Sequence, residues 1–259
     1  LGHYVPETVV TNDDLSKIMD TSDEWIQERT GIKERRWAKP GDGHSAFTMG
    51  LKAAKKAISN ARIEKEDIDL IVFATLSPDY YFPGPGVQIQ EALEIGTVAA
   101  LDIRAQCSGF VYSISVADQF IKTGMYKNIL VIGSELQSHG IDKSTRSRNV
   151  SVIFGDGAGA AILTREEDLT KGILSTHIHS EGKHALELAN EAPGMGTRWV
   201  TDIIKDNDPN DTSYITYMNG QFVFKHAIKR FSEVISEGLQ KNNLEVSDID
   251  MLIPHQANL

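Results

Sequence analysis

Cys107 is the residue in this sequence best placed to act as a nucleophile. It is the single cysteine of the chain, and it lies between the apolar run 98–103 and a predicted helix that begins near Ser108. The dipole and the free backbone amides at a helix start favour an anion, so we expect a lowered thiol pKa and a larger thiolate fraction. A buried, inert cysteine is the alternative, since most free cysteines are buried. Gly109, directly after Ser108, favours the nucleophile.

His255 is the second candidate for chemistry. It follows the apolar run 251–253 and Pro254, where a predicted strand ends. Proteins with α/β sheets place their sites at the carboxyl ends of strands, so this position predicts a functional histidine. A histidine held by hydrogen bonds in a loop is the alternative. A cysteine and a histidine far apart in sequence can meet in space, and such a pair supports thiolate catalysis.

Two weaker patterns favour structural roles over ligand binding. The glycine-rich stretch 155–159 resembles a phosphate loop, but it lies between two apolar runs and opens no helix, so we predict a tight turn and no nucleotide site. His177, His179 and His184, with Glu181, could ligate a metal ion. The alternation around the first two histidines is typical of a strand with one solvated face, and no metal site is predicted.

Composition excludes several classes of protein. The chain has 259 residues, of which 41% are hydrophobic and 24% charged, so it can bury a core and is not disordered. Its net charge of −10 disfavours a nucleic-acid partner. One cysteine excludes an intrachain disulfide and a cysteine-rich metal site. No apolar run approaches the roughly 20 residues that span a bilayer, and the start lacks a signal-peptide pattern. We therefore expect a cytoplasmic protein without membrane contact.

The apolar runs predict an α/β sheet that would hold these side chains. Runs rich in Val, Ile, Leu and Ala, without polar alternation, are typical of strands buried on both faces. The predicted strands are 70–75, 98–103, 129–133, 152–154, 160–163 and 251–253. Helical spacing of apolar residues predicts one helix from about Ser108 to Gly124 and another along an apolar stripe from Phe224 to Ile235.

An internal repeat predicts how these elements are organised. Residues 63–72 recur as residues 244–253, each time after an amphipathic helix and with an acidic turn before the apolar run. Agreement of helix, turn and strand in the same order indicates duplication. We therefore expect two similar α/β halves, residues 1–165 with the cysteine and residues 166–259 with the histidine. The halves join near residues 164–171, and the charged linker there, residues 165–168, is short, so the halves should pack together.

Five motifs, in this order, resemble those of the β-ketoacyl-ACP synthase III family, and the resemblance runs from end to end. They are Thr21-Ser22-Asp23-Glu24-Trp25-Ile26 continuing to Arg29-Thr30-Gly31-Ile32, Cys107-Ser108-Gly109-Phe110, Phe154-Gly155-Asp156-Gly157-Ala158-Gly159, Met218-Asn219-Gly220 and Pro254-His255-Gln256-Ala257-Asn258. The resemblance implies the thiolase-like fold, in which two duplicated α/β halves pack as α-β-α-β-α layers. It also implies a homodimer that uses no cofactor.

The family's reaction condenses a short acyl-CoA primer with malonyl-ACP and starts type II fatty acid synthesis. The resemblance makes Cys107 the acyl acceptor and His255 a hydrogen-bond donor to the charge that develops during decarboxylation. The family's third catalytic residue, an asparagine, lies beyond the end of this chain, and Asn258 of the His-Gln-Ala-Asn motif is not that residue. We therefore expect the chain as written not to be fully active.

The resemblance also implies contacts to CoA. Trp25, Arg29 and Arg148 match family residues that contact its nucleotide. They provide an indole for stacking and two cations. The tunnel that receives pantetheine is matched by Met218, Gly220 and Phe224, together with Gln221, where many members have asparagine. Asn258 is grouped with these substrate-binding residues.

Two further regions are implied to meet protein partners. Phe82 matches a phenylalanine that closes the acyl pocket of the partner subunit, so acyl length would be set partly across the dimer. Lys225, Lys229 and Arg230 would offer the acidic acyl carrier protein a local positive surface despite the net charge of −10, provided that they are exposed.

Other functions remain open on the sequence alone. A condensing enzyme of the same fold could make a polyketide, a methyl ketone or a joined pair of acyl chains, because the cysteine and histidine do not encode the acceptor. A non-catalytic paralogue is favoured only if the full-length gene also lacks the asparagine. A cysteine–histidine hydrolase is disfavoured, because the family's site lies at the end of a narrow tunnel that limits water.

Overall fold

A mixed five-stranded sheet lies at the centre of the first half of the chain in the computed structural model, which describes residues 1–168, 170–192 and 211–257. In spatial order its strands are β1 (Gly2–Tyr4), β7 (Gly157–Thr164), β6 (Asn128–Glu135), β4 (Leu70–Ala74) and β5 (Ala99–Ile103). β4 is parallel to β5 and β6, and β7 is antiparallel to β6 and β1. The carboxyl ends of β4, β5 and β6 therefore meet at one edge of the sheet, which we call the carboxyl edge.

Helices and two small sheets surround this sheet. The described helices are α1 (Asn12–Ser16), α2 (Asp23–Thr30), α3 (Ala46–Ala61), α4 (Pro85–Leu93), α5 (Gly109–Lys122), α6 (Arg148–Ser151) and α7 (Gly220–Asn242). The small sheets pair β2 (Val9–Thr11) with β3 (Glu34–Arg36) and β8 (Leu188–Ala189) with β9 (Tyr217–Met218). No described helix is both long enough and apolar enough to cross a bilayer.

β4 is the centre of the core because helices cover both of its faces. Each of its five residues is buried. On one face, Phe73 packs in a cluster with Met49 of α3 and with α4. On the other face, Val72 packs in a cluster with Ala117 of α5. Burial on both faces explains why the run is apolar without polar alternation.

Four of the predicted strands are confirmed and two are wrong. Residues 152–154 form a turn after α6, because carbonyls of α6 and side chains from earlier in the chain, and not a neighbouring strand, bond to their backbone. A guanidinium nitrogen of Arg35 donates to the carbonyl of Val152 at 3.0 Å, and Trp37 Nε1 donates to that of Phe154 at 2.9 Å. Residues 251–253 form no strand and are exposed, since no strand of the described residues pairs with them.

The repeated segments share their local structure. Arg62 ends α3 with a φ of 56°, and Asn243 ends α7 with a φ of 53°, so both helices stop in the left-handed region. A one-turn 3-10 helix follows each, Lys65–Asp67 and Val246–Asp248, with an aspartate that caps its start. The repeat is thus present in the backbone up to the point where β4 begins, while the boundary at residue 165 stays a prediction.

Candidate active site

Cys107 lies on the turn between β5 and α5, after the carboxyl edge of the sheet. The turn is a 3-10 segment, Gln106–Ser108, in which Gln106 has a φ of 47°, a region that residues with side chains rarely adopt. α5 begins at Gly109, where an added Cβ would lie 3.0 Å from the Cβ of Ala74. Glycine therefore lets the helix start pack closely against the end of β4. A strained strand-to-helix turn that presents a nucleophile has the geometry of a nucleophile elbow.

The pKa of the Cys107 thiol is raised, so the prediction of a lowered pKa is wrong. Loss of surrounding water is the larger cause, the negative charge of Glu135 adds to it, and a hydrogen bond from the residue's own backbone opposes both. Solvent reaches this exposed residue and partly screens these effects. The sequence-based argument counted the helix dipole but neither the loss of water around the thiol nor the carboxylate of Glu135.

His255 lies in a segment without regular secondary structure and is exposed. Within residues 1–168, 170–192 and 211–257, no hydrogen bond joins its ring to Cys107. Their pairing therefore stays a prediction. Asn258 lies outside the described residues.

An irregular segment, residues 173–180, lies between α5 and α7 and forms hydrogen bonds to both helices. The Tyr112 hydroxyl of α5 donates to the carbonyl of His179 at 3.1 Å. The hydroxyls of Ser115 and Thr176 share a hydrogen bond of 2.9 Å. The segment is not the strand that its alternation predicts, because the described residues pair it with helices and not with another strand.

Histidines of this segment bind a carboxylate of α7. His177 Nδ1 lies 2.9 Å from Glu237 Oε1, and His179 Nε2 lies 2.7 Å from Glu237 Oε2. Both contacts lower the pKa of Glu237. The histidines therefore hold α7 beside the irregular segment.

A second cluster has the donor set of a metal site. Ligand atoms of Glu181, His184 and His226 lie within 4.8 Å of one another. Two cations already occupy the carboxylate, since Lys183 Nζ lies 2.8 Å from Oε1 and a guanidinium nitrogen of Arg230 lies 2.6 Å from Oε2. An ion-pair network accounts for this cluster, and the absence of a metal site stays a prediction.

The residues predicted to contact pantetheine lie around the start of α7. Asn219 precedes the helix, and its side-chain oxygen accepts a hydrogen bond of 3.3 Å from the backbone of the first turn. Met218 and Gly220 flank it, and the methyl carbon of Met218 lies 3.6 Å from the position of a Cβ added at Gly220. Gln221 and Phe224 are exposed on the first turns of α7. Their contacts to pantetheine stay a prediction.

Trp25 is flanked by two arginines from different parts of the chain. The guanidinium carbon of Arg29 lies 4.5 Å from the ring centroid, and that of Arg148 lies 4.7 Å from it. Ser22 caps α2 by accepting a hydrogen bond from the backbone of Trp25 at 3.1 Å, which fixes the first turn. An indole with two adjacent cations suits an aromatic anion, since the cations also favour negative charge.

Phe82 lies at an exposed aromatic tip in the loop between β4 and α4. It is 80% exposed, and its neighbours Tyr80 and Tyr81 are also exposed. Three adjacent exposed aromatic residues are unusual on a surface that meets only water and are typical of a protein interface.

The three cations predicted to meet a carrier protein differ in how free they are. Arg230 bonds to both Glu181 and Glu233. Lys229 lies 3.9 Å from Glu233. Lys225 is exposed and forms no ion pair within the described part of the chain. Lys225 is therefore the strongest local source of positive potential among the three.

Glu135 is a polar residue of the carboxyl edge that sequence analysis did not single out. It ends β6, and its carboxylate accepts hydrogen bonds from the backbone of Leu76 at 2.7 Å and from the hydroxyl of Ser77 at 2.8 Å. The available signal was a charged residue two positions after the predicted strand 129–133. Which strands are neighbours was not known from the sequence.

Comparison with known proteins gives the family. The family model described as 3-oxoacyl-[acyl-carrier-protein (ACP)] synthase III matches residues 101–182, which include Cys107. A β-ketoacyl-[acyl-carrier-protein] synthase III from Aliivibrio fischeri is 46% identical over 258 residues, which cover 100% of this chain and 76% of that protein. The protein of the same name from Pasteurella multocida is 45% identical over 260 residues and is covered to the same extent.

Solved structures are also similar to this chain. The crystal structure of 3-oxoacyl-[acyl-carrier-protein] synthase III from Aquifex aeolicus is 41% identical, with a TM-score of 0.87 over 99% of this chain and 75% of that one. The priming β-ketosynthase of the R1128 polyketide pathway is 28% identical, with a TM-score of 0.83 over 99% of this chain and 73% of that one. These likenesses confirm the thiolase-like fold. Identity above 40% along the whole chain, together with a matching fold, shows that this chain belongs to the β-ketoacyl-ACP synthase III family.

Proposed function

We propose that this protein condenses a short acyl-CoA primer with malonyl-ACP, releasing CoA and CO2. The observation that carries the proposal is the position of the single cysteine on a strained strand-to-helix turn in a chain of this family. The Cys107 thiolate attacks the thioester carbon of the primer, and the sulfur of CoA leaves with the bonding electrons and takes up a proton. The acyl group then waits on Cys107 as a thioester.

The second half-reaction uses malonyl-ACP. Loss of CO2 leaves its electron pair on the adjacent carbon, as an enolate whose charge lies mainly on the thioester oxygen. That carbon attacks the acyl group, and the Cys107 sulfur leaves. A hydrogen-bond donor facing the enolate oxygen lowers the barrier, and His255 is proposed as that donor. Because Cys107 returns as a thiolate, the cycle consumes no cofactor.

The direct test is incubation with acetyl-CoA followed by peptide mapping by mass spectrometry. We expect one acetyl group, on the peptide that contains Cys107. Malonyl-ACP should then remove it and yield acetoacetyl-ACP. An acetyl group that stays on another side chain contradicts the proposal.

The arginine pair around Trp25 is proposed as the site for the nucleotide of CoA. Trp25→Ala and Arg29→Ala should each raise KM for acyl-CoA about 5- to 30-fold, as expected for loss of one stacked or cation–π contact. Turnover of a preformed acyl-enzyme should change little, because a contact remote from the reacting carbon contributes to binding alone. Steady-state kinetics with acetyl-CoA and single-turnover assays of the acyl-enzyme measure the two effects.

Arg165→Ala is the matched control for Arg29→Ala. Arg165 is an exposed arginine whose ion pair is with Glu167 in the charged stretch after β7, so this variant has the same change in net charge without the indole. KM should then stay near that of the unmodified protein. If Trp25→Ala and Arg29→Ala instead lose turnover of the acyl-enzyme and bind acyl-CoA normally, these residues support the fold and not the nucleotide.

Lys225 and Lys229 are proposed to steer the acyl carrier protein. An acidic carrier that approaches a protein of net charge −10 needs a locally positive surface. Charge reversal at both lysines should lower the second-order rate constant for malonyl-ACP about tenfold at low salt. The loss should shrink as the Debye length falls from about 8 Å at physiological salt to about 3 Å at 1 M. Lys225→Glu alone should cause most of it, since Lys229 is near Glu233.

Two comparisons test this steering. Malonyl-CoA bypasses the carrier, so the same variants should affect it much less. Lys56→Glu reverses an exposed charge in the middle of α3 and should leave the rate for malonyl-ACP unchanged. Equal losses with the two malonyl donors mean that the lysines support α7 or the tunnel.

A homodimer and a cytoplasmic location complete the proposal. The exposed aromatic tip at Phe82 supports a dimer in which this side chain closes the acyl pocket of the partner subunit. The single cysteine supports a reducing compartment.

A priming role in polyketide synthesis is the second candidate. The likeness to the R1128 priming β-ketosynthase over 99% of this chain favours it. Rates for a series of acyl-CoA primers, each with carrier proteins of the fatty acid and polyketide types, distinguish the two functions.

A further inference from the structure

Asn12 is a buried residue whose side-chain amide makes three hydrogen bonds. It begins α1 and is 1% exposed. Its Oδ1 accepts a hydrogen bond of 2.8 Å from a guanidinium nitrogen of Arg35. Its Nδ2 donates to Asp23 Oδ1 at 2.8 Å and to the carbonyl of Ile32 at 2.7 Å. A cation on one side of the amide and two acceptors on the other allow one orientation only, so Asn12 joins these three groups in a fixed arrangement.

Arg35 extends this network to α6. Its guanidinium donates to the carbonyl of Val10 at 3.2 Å and to that of Val152 at 3.0 Å. Val152 follows the last residue of α6, and its backbone N–H donates to the carbonyl of Arg148, the first residue of that helix. Arg35 is buried, and within the described residues no carboxylate forms an ion pair with it. A buried cation held by neutral acceptors is costly, which favours a role for the geometry that it fixes.

The network joins the two helices that meet at the Trp25 ring. Asp23 is the first residue of α2, the helix that carries the indole and one of its two cations. From Asp23 the hydrogen bonds pass through Asn12 and Arg35 to the end of α6. The other cation, Arg148, begins α6. Two guanidinium carbons at 4.5 and 4.7 Å from one ring centroid carry like charges that repel, so the helices have to be held in place.

A second connection between the same regions is exposed. The backbone N–H of Asp20 donates to the hydroxyl of Thr145 at 2.9 Å, and Arg148 donates to the carbonyl of Asp20. Water competes for the groups of both hydrogen bonds, so each contributes little net stabilisation. The buried network is therefore the connection that we expect to decide how α2 lies against α6.

We propose that Asn12 is a positioning residue for the nucleotide site: it holds α2 against α6, so that Trp25 and Arg29 lie beside Arg148 before a ligand binds. Asn12 forms no hydrogen bond with these three side chains within the described residues, and it acts through the buried network. A site that is arranged in advance binds its ligand at a smaller conformational cost. The inference rests on the proposed function for the identity of the ligand, which is the nucleotide of CoA.

Fluorine NMR measures the surroundings of the Trp25 ring without any ligand. The chain has three tryptophans, so protein labelled with fluorotryptophan should give three signals, and the signal lost in Trp25→Phe is that of Trp25. Asp23→Ala removes the acceptor on α2 at a partly exposed position, where the protein should still fold. We expect the Trp25 signal to move toward its position in Arg148→Ala, which takes one cation away from the ring.

CoA binding gives the second measurement. Titration calorimetry with CoA should give a Kd about tenfold higher in Asp23→Ala, the rise expected when the competent arrangement falls to about a tenth of the molecules. KM for acetyl-CoA should rise in the same way. Turnover of a preformed acyl-enzyme should change little, because the network is remote from the reacting carbon.

Glu24→Ala is the matched control for Asp23→Ala. Glu24 is the next residue of the same helical turn and is exposed, so this variant loses the same charge near the same helix start. Its Trp25 signal should stay in place, and its Kd for CoA should not rise. Thr145→Ala removes part of the exposed connection and should also leave the signal in place.

Asn12→Asp is the second variant. It retains the acceptor for Arg35 but places a carboxylate against that of Asp23, so it should displace the Trp25 signal at least as far as Asp23→Ala does. Its control is Asn128→Asp at the start of β6, which loses a hydrogen bond of 3.0 Å to a backbone carbonyl. The control should leave the signal in place even if it lowers the Tm as much.

The outcomes separate this inference from the proposed function. An unmoved Trp25 signal in folded Asp23→Ala overturns the inference, whether or not CoA binds. A displacement as large in Glu24→Ala, Thr145→Ala or Asn128→Asp also overturns it, because lost charge, the exposed connection or general loosening is then the cause. If CoA does not bind to the unmodified protein, the nucleotide assignment fails, while the fluorine signals still decide whether the network positions the ring.

Discussion

Cys107→Ala should lose transfer of the acyl group from acyl-CoA by more than about 10³-fold, the scale seen when a catalytic nucleophile is removed. Without a sulfur no acyl-enzyme forms, and no other cysteine is present to replace it. The measurements are release of CoA from acetyl-CoA, followed with a thiol reagent, and the mass of the protein after incubation. The variant should release no CoA, and its mass should not increase by an acyl group.

A matched control separates loss of the nucleophile from damage to α5. Val111 is an exposed residue two positions into the same helix, and Val111→Ala should acylate at a normal rate. Thermal unfolding of Cys107→Ala should be close to that of the unmodified protein, since the side chain is exposed. Retained acyl transfer in a folded Cys107→Ala protein would show that another group accepts the acyl chain.

His255→Ala should slow decarboxylation of malonyl-ACP about 10²- to 10³-fold, the usual cost of losing one donor to a developing oxyanion. Primer transfer should slow much less, because it does not need this donor. The two half-reactions are assayed separately, as CoA release in the absence of malonyl-ACP and as release of labelled CO2 from carboxyl-labelled malonyl-ACP added to a preformed acyl-enzyme.

The control for this prediction is a second histidine, His139. His139 is exposed and has no hydrogen bond or ion pair within the described residues, so His139→Ala should leave both half-reactions unchanged. Equal losses of both half-reactions in His255→Ala would instead make His255 the base that removes the proton of Cys107. The raised thiol pKa gives that alternative a physical motive, since a protonated thiol needs a base before it can attack.

The sequence predicts a strand of the sheet where helices cover both faces of that strand. β4 is apolar along its whole length because α3 and α5 cover its two faces, so its residue types carry the signal. Residues 152–154 have the same apolar character but are a turn, because Arg35 and Trp37, more than a hundred positions earlier, satisfy their carbonyls. Local apolar character cannot distinguish these two cases.

The candidate site was predictable in its residues but not in its electrostatics. The sequence predicts the turn at Cys107 because a strand and a helix flank it, and both are local. The raised pKa of the thiol comes first from loss of surrounding water and second from the charge of Glu135 on β6, and neither can be read from the residues next to Cys107. The geometry of His255 depends on contacts that residues 251–253 do not make among the described residues.

The left-handed residue that ends α3 and α7 has a consequence for the evolution of this chain and for its engineering. Arg62 occupies this position after α3 and Asn243 occupies it after α7, yet their backbone angles differ by only a few degrees. Asparagine enters this conformation more readily than arginine does. The backbone conformation is the same at both positions although the residue types differ, so the second copy shows that asparagine suits position 62. Borrowing Asn from position 243 is therefore a route to greater thermal robustness that leaves the reactive centre untouched.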